Sequence, residues 1–275
     1  MEIEHGRARI GARPMPSHRR DNGRTERRPL NSMTENEIRE AAGAIGVPLD
    51  SQQAGALMRF RDLLVEANRR FNLTALNDDA SILALHFLDS LTAVRVIRAI
   101  QAERGTTLDL IDVGTGGGFP GLPLKIALPE LRVTLMDSTA KKVQFCNEVI
   151  RALGLHEIRA IQDRAEEAGH RPEHREQYDV VIARAVAPMP TLAEYLLPLA
   201  RVGGTCIAMK GSDAPAEAAR AAGAIARLGG ALSAVEPVSL PGRDERRALI
   251  LISKVQPTPQ PYPRRGGAPR KSPLK

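Results

Sequence analysis

The stretch Asp-Val-Gly-Thr-Gly-Gly-Gly-Phe-Pro-Gly, residues 112–121, decides the fold of this chain. It follows the apolar run 108–111, which is typical of a strand, and it leads into the apolar run 122–128, which is typical of a helix. Glycine reaches positive φ values and lets a ligand approach the backbone closely, and the free N–H groups at a helix start face such a ligand. This order of strand, glycine loop and helix predicts a site for a nucleotide-like ligand.

Two classes of cofactor use such a loop, and their glycines stand in different registers. The dinucleotide pattern G-x-G-x-x-G fits at Gly116, Gly118 and Gly121, but two prolines would crowd the start of its helix. The pattern D-x-G-x-G-x-G begins at Asp112, includes Gly114, and resembles the first motif of S-adenosylmethionine-dependent methyltransferases. We therefore expect S-adenosylmethionine as the cofactor, with a nicotinamide oxidoreductase as an alternative.

An acidic residue follows the second predicted strand. Residues 132–136 form a short β-type run, and Asp137 comes directly after it. At the carboxyl end of a strand beside the glycine loop, this carboxylate is placed to accept hydrogen bonds from both ribose hydroxyls. Ser138 can cap the next helix and leave Asp137 available. The pattern predicts cofactor contacts at Gly114, Gly116 and Asp137.

The chain alternates strand-like and helix-like runs beyond residue 105. Such alternation predicts an α/β fold with a mostly parallel sheet and helices on both faces. The expected strands are residues 108–113, 132–136, 158–162, 179–183, 205–209, 232–237 and 248–253. The turn Pro-Gly-Arg-Asp at 241–244 joins the last two as a hairpin, so the final strand should be antiparallel. Seven strands in this pattern fit the Rossmann-like class I methyltransferase fold, here with an N-terminal helical extension.

Three amphipathic helices precede the sheet. Apolar residues recur at helical spacing over 38–45, in a second helix capped by Ser51, and in a third helix over about 79–100. Met33 followed by Thr34 reads like a natural start with a helix cap. The predicted organisation is a basic, disordered arm (1–32), a helical region (33–104), a methyltransferase domain (105–255) and a basic Pro/Gly-rich tail (256–275).

The formal net charge of +7 is unevenly distributed. Residues 1–32 contribute +4 and residues 256–275 contribute +5, which leaves −2 for the body between them. Flexible basic segments neutralise phosphates well, so the tail is expected to follow the backbone of a nucleic acid. On this view, deleting residues 257–275 weakens RNA binding in a salt-dependent way and leaves cofactor affinity unchanged. For the first arm, we favour a role in solubility only.

The composition indicates a cytoplasmic protein. The sequence has no apolar run of 18 residues, and its first 32 residues lack the apolar centre of a secretory signal. Cys146 and Cys206 lie in helical and strand patterns and are expected to be reduced thiols. The run His170-Arg-Pro-Glu-His174 spells a zinc-protease pattern, but Pro172 would break the helix that this pattern needs. We therefore predict no metal site.

Further candidates follow the third, fourth and fifth predicted strands. The loop 163–167 is placed to touch the adenine end of a cofactor, while Arg184 and Lys210 are candidates on the substrate side. No residue is assigned as catalytic.

Two kinds of methyl acceptor are disfavoured. The chain has no Asn/Asp-Pro-Pro-aromatic turn for methylating an exocyclic amine, and Cys206 lies in a predicted strand instead of a loop where it could attack a pyrimidine. A ring nitrogen with its own lone pair remains, and its methylation needs positioning more than a base.

Six motifs in chain order resemble one family. They are Phe71-Asn-Leu-Thr74, His86-Phe-Leu-Asp89-Ser-Leu91, the block 112–124, Met136-Asp-Ser138, Ile182-Ala-Arg-Ala185 and Met209-Lys-Gly211. Together they resemble the small-subunit (16S) ribosomal RNA guanine-N7 methyltransferases, historically called the glucose-inhibited division protein B family. The tail, 262–274, resembles the basic Pro/Gly end of many members. The resemblance covers residues 33–275.

The resemblance implies methyl transfer from S-adenosylmethionine to N7 of a guanine in 16S rRNA. The implied partner is 16S rRNA or the small ribosomal subunit. The protein is expected to be a monomer and to have no membrane partner. Cofactor contacts carry over to Gly114, Phe119, the pair Ala165 and Glu166, and Arg184. Methyltransferases of small molecules or proteins, and a non-catalytic RNA-binding protein, remain alternatives.

His86 and Asp89 belong to the second of these motifs, and neither the residues nor the resemblance gives them a clear role. They could line the mouth of the substrate site or lock the third helix against the sheet. We favour the second interpretation.

Overall fold

A computed structural model describes residues 1–2, 34–71 and 78–275. The chain divides into two units, Met1–Ser32 and Met33–Lys275, and the description below concerns the second. Almost all of the predicted basic arm lies outside the described residues, as do positions 72–74 of the first family motif. No helix within the described ranges is long and apolar enough to cross a membrane.

Seven strands form one sheet within the described part of the chain, in the order β3-β2-β1-β4-β5-β7-β6. The strands are β1 Asp109–Val113, β2 Arg132–Asp137, β3 Ile158–Gln162, β4 Tyr178–Arg184, β5 Ala200–Lys210, β6 Gly230–Val238 and β7 Arg247–Lys254. The first five pair in parallel, whereas β7 is antiparallel to both β5 and β6. The predicted seven-stranded, mostly parallel sheet is therefore confirmed, including its antiparallel last strand.

The register of the sheet brings the predicted site residues to one edge. Val113 pairs with Met136, so the glycine loop leaves β1 beside Asp137 at the end of β2. Asp137 in turn pairs with Gln162, which places the loop after β3 next in line. The carboxyl ends of β1, β2 and β3 thus form a continuous row, as expected for parallel strands.

The helices lie on both faces of the sheet. In chain order they are α1 Glu35–Ala44, α2 Ser51–Phe71, α3 Asp79–Ser81, a π-helix Ile82–Leu88, α4 Asp89–Leu91, α5 Val94–Arg104, α6 Gly121–Ala127, α7 Ala140–Leu153, α8 Ala165–Ala168, α9 Met189–Leu196, α10 Ala214–Arg220, α11 Ala222–Arg227 and α12 Ala268–Lys271. Alternate strand residues such as Leu110 and Ile111 enter different apolar cores because successive side chains point to opposite faces. The N-terminal helices share the first core with α6 and α7.

Two helix caps show how local sequence sets the N-terminal helices. Thr34 and Glu37 form the predicted capping box at α1. At α2 the cap differs from the prediction: Asp50 Oδ1 accepts from the N–H of Gln53 at 2.7 Å, and Gln53 Oε1 accepts from the N–H of Asp50 at 3.0 Å. Ser51 is the first helical residue instead, because the carboxylate one position earlier satisfies the free N–H group.

The third predicted helix, 79–100, is not continuous. A π-helix occupies Ile82–Leu88, and the helix breaks again before α5 begins at Val94. Apolar spacing shows which face is buried, but it does not distinguish a ladder of i→i+4 bonds from one of i→i+5 bonds. The π-helix provides carbonyl groups to a side chain from β4, as described below.

The C-terminal tail is packed on the body, contrary to the expectation of a flexible segment. Thr258 and Leu274 are buried, and Arg175 donates hydrogen bonds to the carbonyls of Thr258 and Tyr262 at 2.6 and 2.8 Å. Arg264 pairs with Glu194, which is fully buried. Composition suggested a solvated tail, but these partners come from distant parts of the chain and leave no local pattern.

Candidate cofactor site

A cavity of about 520 Å³ opens at the carboxyl edge of the sheet. Its walls come from the ends of β1 and β2, the loop after β3, the segment after β4, helix α9 and the tail. Of the predicted contacts, the lining residues are Gly114, Asp137, Ala165 and Glu166. The cavity falls in the size range of ordinary cofactor pockets.

The glycine loop needs glycine at its first position. Gly114 has φ +72°, and its N–H donates to the carbonyl of Met136 at 2.8 Å. A Cβ atom there would lie 2.7 Å from Cγ2 of Val186, which also lines the cavity. The backbone conformation and the close approach together explain why only glycine fits this position.

Replacing Gly114 with alanine is therefore expected to lower the free energy of unfolding by about 1–3 kcal/mol, from left-handed strain and overpacking. We also expect cofactor affinity to fall at least about 10-fold, because Val186, which lines the cavity, must shift to make room. Urea unfolding and calorimetric titration with S-adenosylhomocysteine would measure the two effects. Gly43→Ala is the matched control: Gly43 is helical with open space around it, so the same change should be neutral or stabilising.

Asp112 holds the two ends of the glycine loop. Its Oδ2 accepts hydrogen bonds from the hydroxyl of Thr115 at 2.6 Å and from the N–H of Gly121 at 2.9 Å. The residue is fully buried, and burial raises the pKa of its carboxyl group to about 6. Among the described residues, Oδ1 has no hydrogen-bond partner. Asp112 thus shapes the loop from behind, without lining the cavity.

Asp137 connects the loop to the cavity. Its Oδ2 accepts from the N–H of Gly116 at 3.0 Å, and its Oδ1 accepts from the N–H of Thr139 at 2.9 Å. Lys142 Nζ lies 3.6 Å from Oδ2. A carboxylate offers about four acceptor positions, so two remain for the hydroxyls of a ribose. Gly116 does not line the cavity, and its link to the site is the hydrogen bond from its N–H to Asp137.

Phe119 lies under the loop, outside the cavity. Its ring stacks on His86 with the centroids 4.4 Å apart and on Phe60 at 5.0 Å. The side chain is only 5% exposed. The structure therefore places Phe119 in an aromatic cluster that joins the loop to α2 and to the π-helix.

Arg184 is engaged by the π-helix. Its Nη1 donates to the carbonyl of Leu85 at 3.0 Å and to Asp89 Oδ2 at 2.8 Å. Its Nη2 lies 3.1 Å from Nδ1 of His86. Arg247 Nη1 approaches the other oxygen of Asp89 at 3.2 Å. Arg184 thus fastens the π-helix to the end of β4 and does not line the cavity, and His86 and Asp89 join the N-terminal helices to the sheet.

His86 is held in its neutral form. Burial, together with the nearby charge of Arg184, lowers the pKa of its imidazole to about 4. Because a guanidinium can only donate, Nδ1 of His86 must accept, which requires the unprotonated nitrogen.

The depressed pKa of His86 predicts a loss of stability in acid. Its contribution is complete above pH 6.5 and is lost as the pH falls from 6.5 towards 4, because the unfolded chain takes up the proton first. Between pH 7 and pH 5, we expect the wild type to lose about 1–2 kcal/mol more unfolding free energy than His86→Gln. Urea unfolding at both pH values measures this difference. The exposed His156 provides the control, since His156→Gln should follow the wild type.

Lys210 supports a cavity wall. Its Nζ donates to the carbonyl of Ala187 at 2.6 Å and to Glu217 Oε2 at 2.8 Å. Glu217 Oε2 also accepts from the N–H of Met189 at 2.9 Å. The lysine thus fixes the segment 187–189, the first residue of which lines the cavity. A cation after a strand could be placed at the correct edge from sequence, but its acidic partner on α10 could not.

Several lining residues were not singled out from the sequence. They are Val113, Met136, Ser138, Thr139, Lys142, Ala185, Val186, Ala187, Tyr195, Gly267, Arg270 and Lys271. Ser138 was predicted only as a cap, whereas Asp163 and Arg164, which also line the cavity, belong to the loop 163–167 that was predicted to touch a cofactor. The last three come from the tail, and nothing in their local sequence signals a place at this cavity.

The two cysteines and the histidines of the run 170–174 do not line the cavity. Both thiols are buried, and burial raises the pKa of Cys206 to about 12 and that of Cys146 as well. Neither thiol therefore forms a thiolate at neutral pH. His170 Nε2 lies 2.6 Å from the carbonyl of Pro263, and His174 Nδ1 lies 2.8 Å from the hydroxyl of Tyr178.

The fold and this cavity together define a class I S-adenosylmethionine-dependent methyltransferase. The strand order, the glycine loop after β1 and the carboxylate at the end of β2 are the parts that such an enzyme requires. The solved structure of a putative O-methyltransferase from Klebsiella pneumoniae has the same fold, with a TM-score of 0.52 at 15% identity. The match covers 80% of this chain and 96% of that one.

Sequence comparison narrows the class. The profile of the family described as rRNA small subunit methyltransferase G matches residues 53–246, so this chain belongs to that family. A relative named ribosomal RNA small subunit methyltransferase G, from Roseiflexus sp. (strain RS-1), is 49% identical over 233 residues, which are 85% of this chain and 97% of the relative. A protein of the same name from Pelotomaculum thermopropionicum is 46% identical over 237 residues, covering 86% and 97%.

Proposed function

We propose that this protein transfers the methyl group of S-adenosylmethionine to N7 of a guanine in 16S rRNA, within the small ribosomal subunit or its precursor. We further propose that it acts as a cytoplasmic monomer. The observation that carries the proposal is the match to ribosomal RNA small subunit methyltransferase G relatives over most of the chain, together with a cavity lined by Gly114 and Asp137 at the carboxyl edge of the sheet.

The proposed methylation of guanine N7 does not require a general base. S-adenosylmethionine supplies an activated methyl group on its sulfonium, and N7 of guanine has a lone pair and no proton to lose. Alignment of the nitrogen with the methyl group is then the main requirement. Pyrimidine C5 methylation through a thiolate is disfavoured, because both cysteines are buried with raised pKa values.

The chain's own residues bind and orient the cofactor in this proposal. Asp137 accepts the ribose hydroxyls while it holds the N–H of Gly116. Ala165 and Glu166, which follow β3, would contact the adenine end, and Gly114 would contact the cofactor from the end of β1. Phe119 and Arg184 would contribute to binding by supporting the loop and the end of β4 from behind.

Methyl transfer to ribosomal subunits tests the proposal directly. The purified protein is incubated with methyl-labelled S-adenosylmethionine and small subunits from cells that lack the modification, and the label is mapped by primer extension after N7-specific cleavage. We expect label at a single guanine N7. Free 16S rRNA and precursor particles, assayed in parallel, identify the preferred form of the substrate.

Two controls give the assay its resolution. At a concentration of S-adenosylmethionine near the wild-type Kd, Asp137→Ala should strongly reduce labelling if the cavity holds the cofactor. Sedimentation of the protein at assay concentration tests the monomer. Label that appears without RNA, on a protein or a small molecule, would overturn the proposed substrate, and label at any other position of guanine would overturn the proposed atom.

A further inference from the structure

The C-terminal tail forms one wall of the cofactor cavity. Gly267, Arg270 and Lys271 line it together with Ala165 and Glu166, which lie about 100 positions earlier in the chain. Strands β1, β2 and β3 order the site from the glycine loop through Asp137 to the loop after β3. Arg265 Nε in the tail lies 3.8 Å from Glu167 Oε2 in the loop after β3, so the tail meets the cavity beside this loop, where the adenosine part of a cofactor would lie.

Helix α12 is held in place by buried contacts. Arg264 donates to both carboxylate oxygens of Glu194, at 2.9 Å from Nε to Oε1 and 2.7 Å from Nη2 to Oε2. The hydroxyl of Thr191 donates to the carbonyl of Pro269 at 3.0 Å. Leu274 is buried in the same core as α9. This wall is thus fixed before any ligand binds, which reduces the entropy lost on binding.

Arg270 is available to a ligand. Its side chain is exposed at the cavity, and within the described residues it has no acidic partner. It is close enough to Tyr195, also on the cavity wall, to oppose the rise that burial causes in the pKa of the phenol. A guanidinium is planar and stacks on aromatic rings, which a purine offers.

We propose that α12 is part of the cofactor site and that Arg270 contacts the adenosine part of S-adenosylmethionine. The inference rests on the proposed function, because it assumes the same cofactor. It assigns the basic tail a role in cofactor affinity, in place of the flexible capture of RNA that its composition suggested.

Equilibrium binding of S-adenosylhomocysteine, without RNA, tests this assignment on the full chain. Arg270→Ala should raise Kd by about 3- to 10-fold, and Arg270→Lys should do the same because an ammonium does not stack. Arg227→Ala is the matched control, since Arg227 is exposed at the end of α11 and does not line the cavity. Its Kd should equal that of the wild type.

Each other outcome has a defined meaning. An unchanged Kd for Arg270→Ala overturns the inference and leaves the proposed function standing. A KM for ribosomal subunits that rises while the cofactor Kd stays constant overturns it in favour of a phosphate contact. If the wild-type protein itself does not bind S-adenosylhomocysteine, the proposed function fails instead.

Discussion

Asp137→Ala is expected to weaken binding of S-adenosylmethionine by about 100-fold, because hydrogen bonds to a charged group contribute about 1.5–3 kcal/mol each. The variant loses the acceptors for the ribose and also frees the N–H of Gly116, which Oδ2 now holds at 3.0 Å. Calorimetric titration measures the affinity. Asp137→Asn keeps one acceptor oxygen, so its cofactor affinity should lie between those of the wild type and Asp137→Ala.

A surface carboxylate supplies the control for this variant. Asp62 is 66% exposed in its side chain and pairs with Arg61 on α2, so Asp62→Ala should leave the affinity unchanged. If Asp137→Ala were to bind the cofactor as tightly as the wild type, the carboxylate would have only a structural role in the loop.

Arg264→Ala is expected to lower the free energy of unfolding by about 3 kcal/mol, because it leaves the carboxylate of Glu194 buried without its charged partner. Glu194 is 0% exposed, and its two oxygens receive the guanidinium and the backbone N–H of Arg264. Urea unfolding provides the measurement. Arg265→Ala is the matched control, because Arg265 is the next residue in the chain and its side chain is 65% exposed, with Nε 3.8 Å from Oε2 of Glu167.

The double variant Arg264→Met with Glu194→Leu separates the buried charge from the loss of packing. Replacing both partners of a buried pair with apolar residues often costs little, so most of the lost stability should return. A loss below about 0.5 kcal/mol for Arg264→Ala, similar to the value expected for Arg265→Ala, would mean that the tail is not anchored at this pair.

The sequence was sufficient for the sheet and for one side of the site. Strand residues such as Leu110 and Ile111 alternate between two apolar cores, so the apolar pattern identifies the strands. Glycine or acidic residues at the ends of these apolar runs mark the carboxyl ends of the strands. Gly114 and Asp137 were found in this way because each lies at the carboxyl end of a strand, and parallel strands bring such positions to one edge.

Other parts of the site depend on pairing between distant residues. Arg184 and Lys210 were correctly placed at strand ends, but sequence did not show that Asp89 and Glu217 would engage them. The tail was interpreted from its prolines and charge, whereas its position depends on a glutamate in α9, some 70 residues earlier. The sequence alone does not distinguish a charged side chain that is solvated from one that pairs with a buried residue.

The engagement of Arg184 by the π-helix also bears on how RNA binding should respond to salt. Only cations that displace counterions from phosphates contribute to the slope of log affinity against log salt concentration. A guanidinium already saturated by the carbonyl of Leu85 and the carboxylate of Asp89 adds little to that slope. For the proposed RNA substrate, the measured slope would therefore reflect arginines that have no such partner, and Arg184 would contribute little to it.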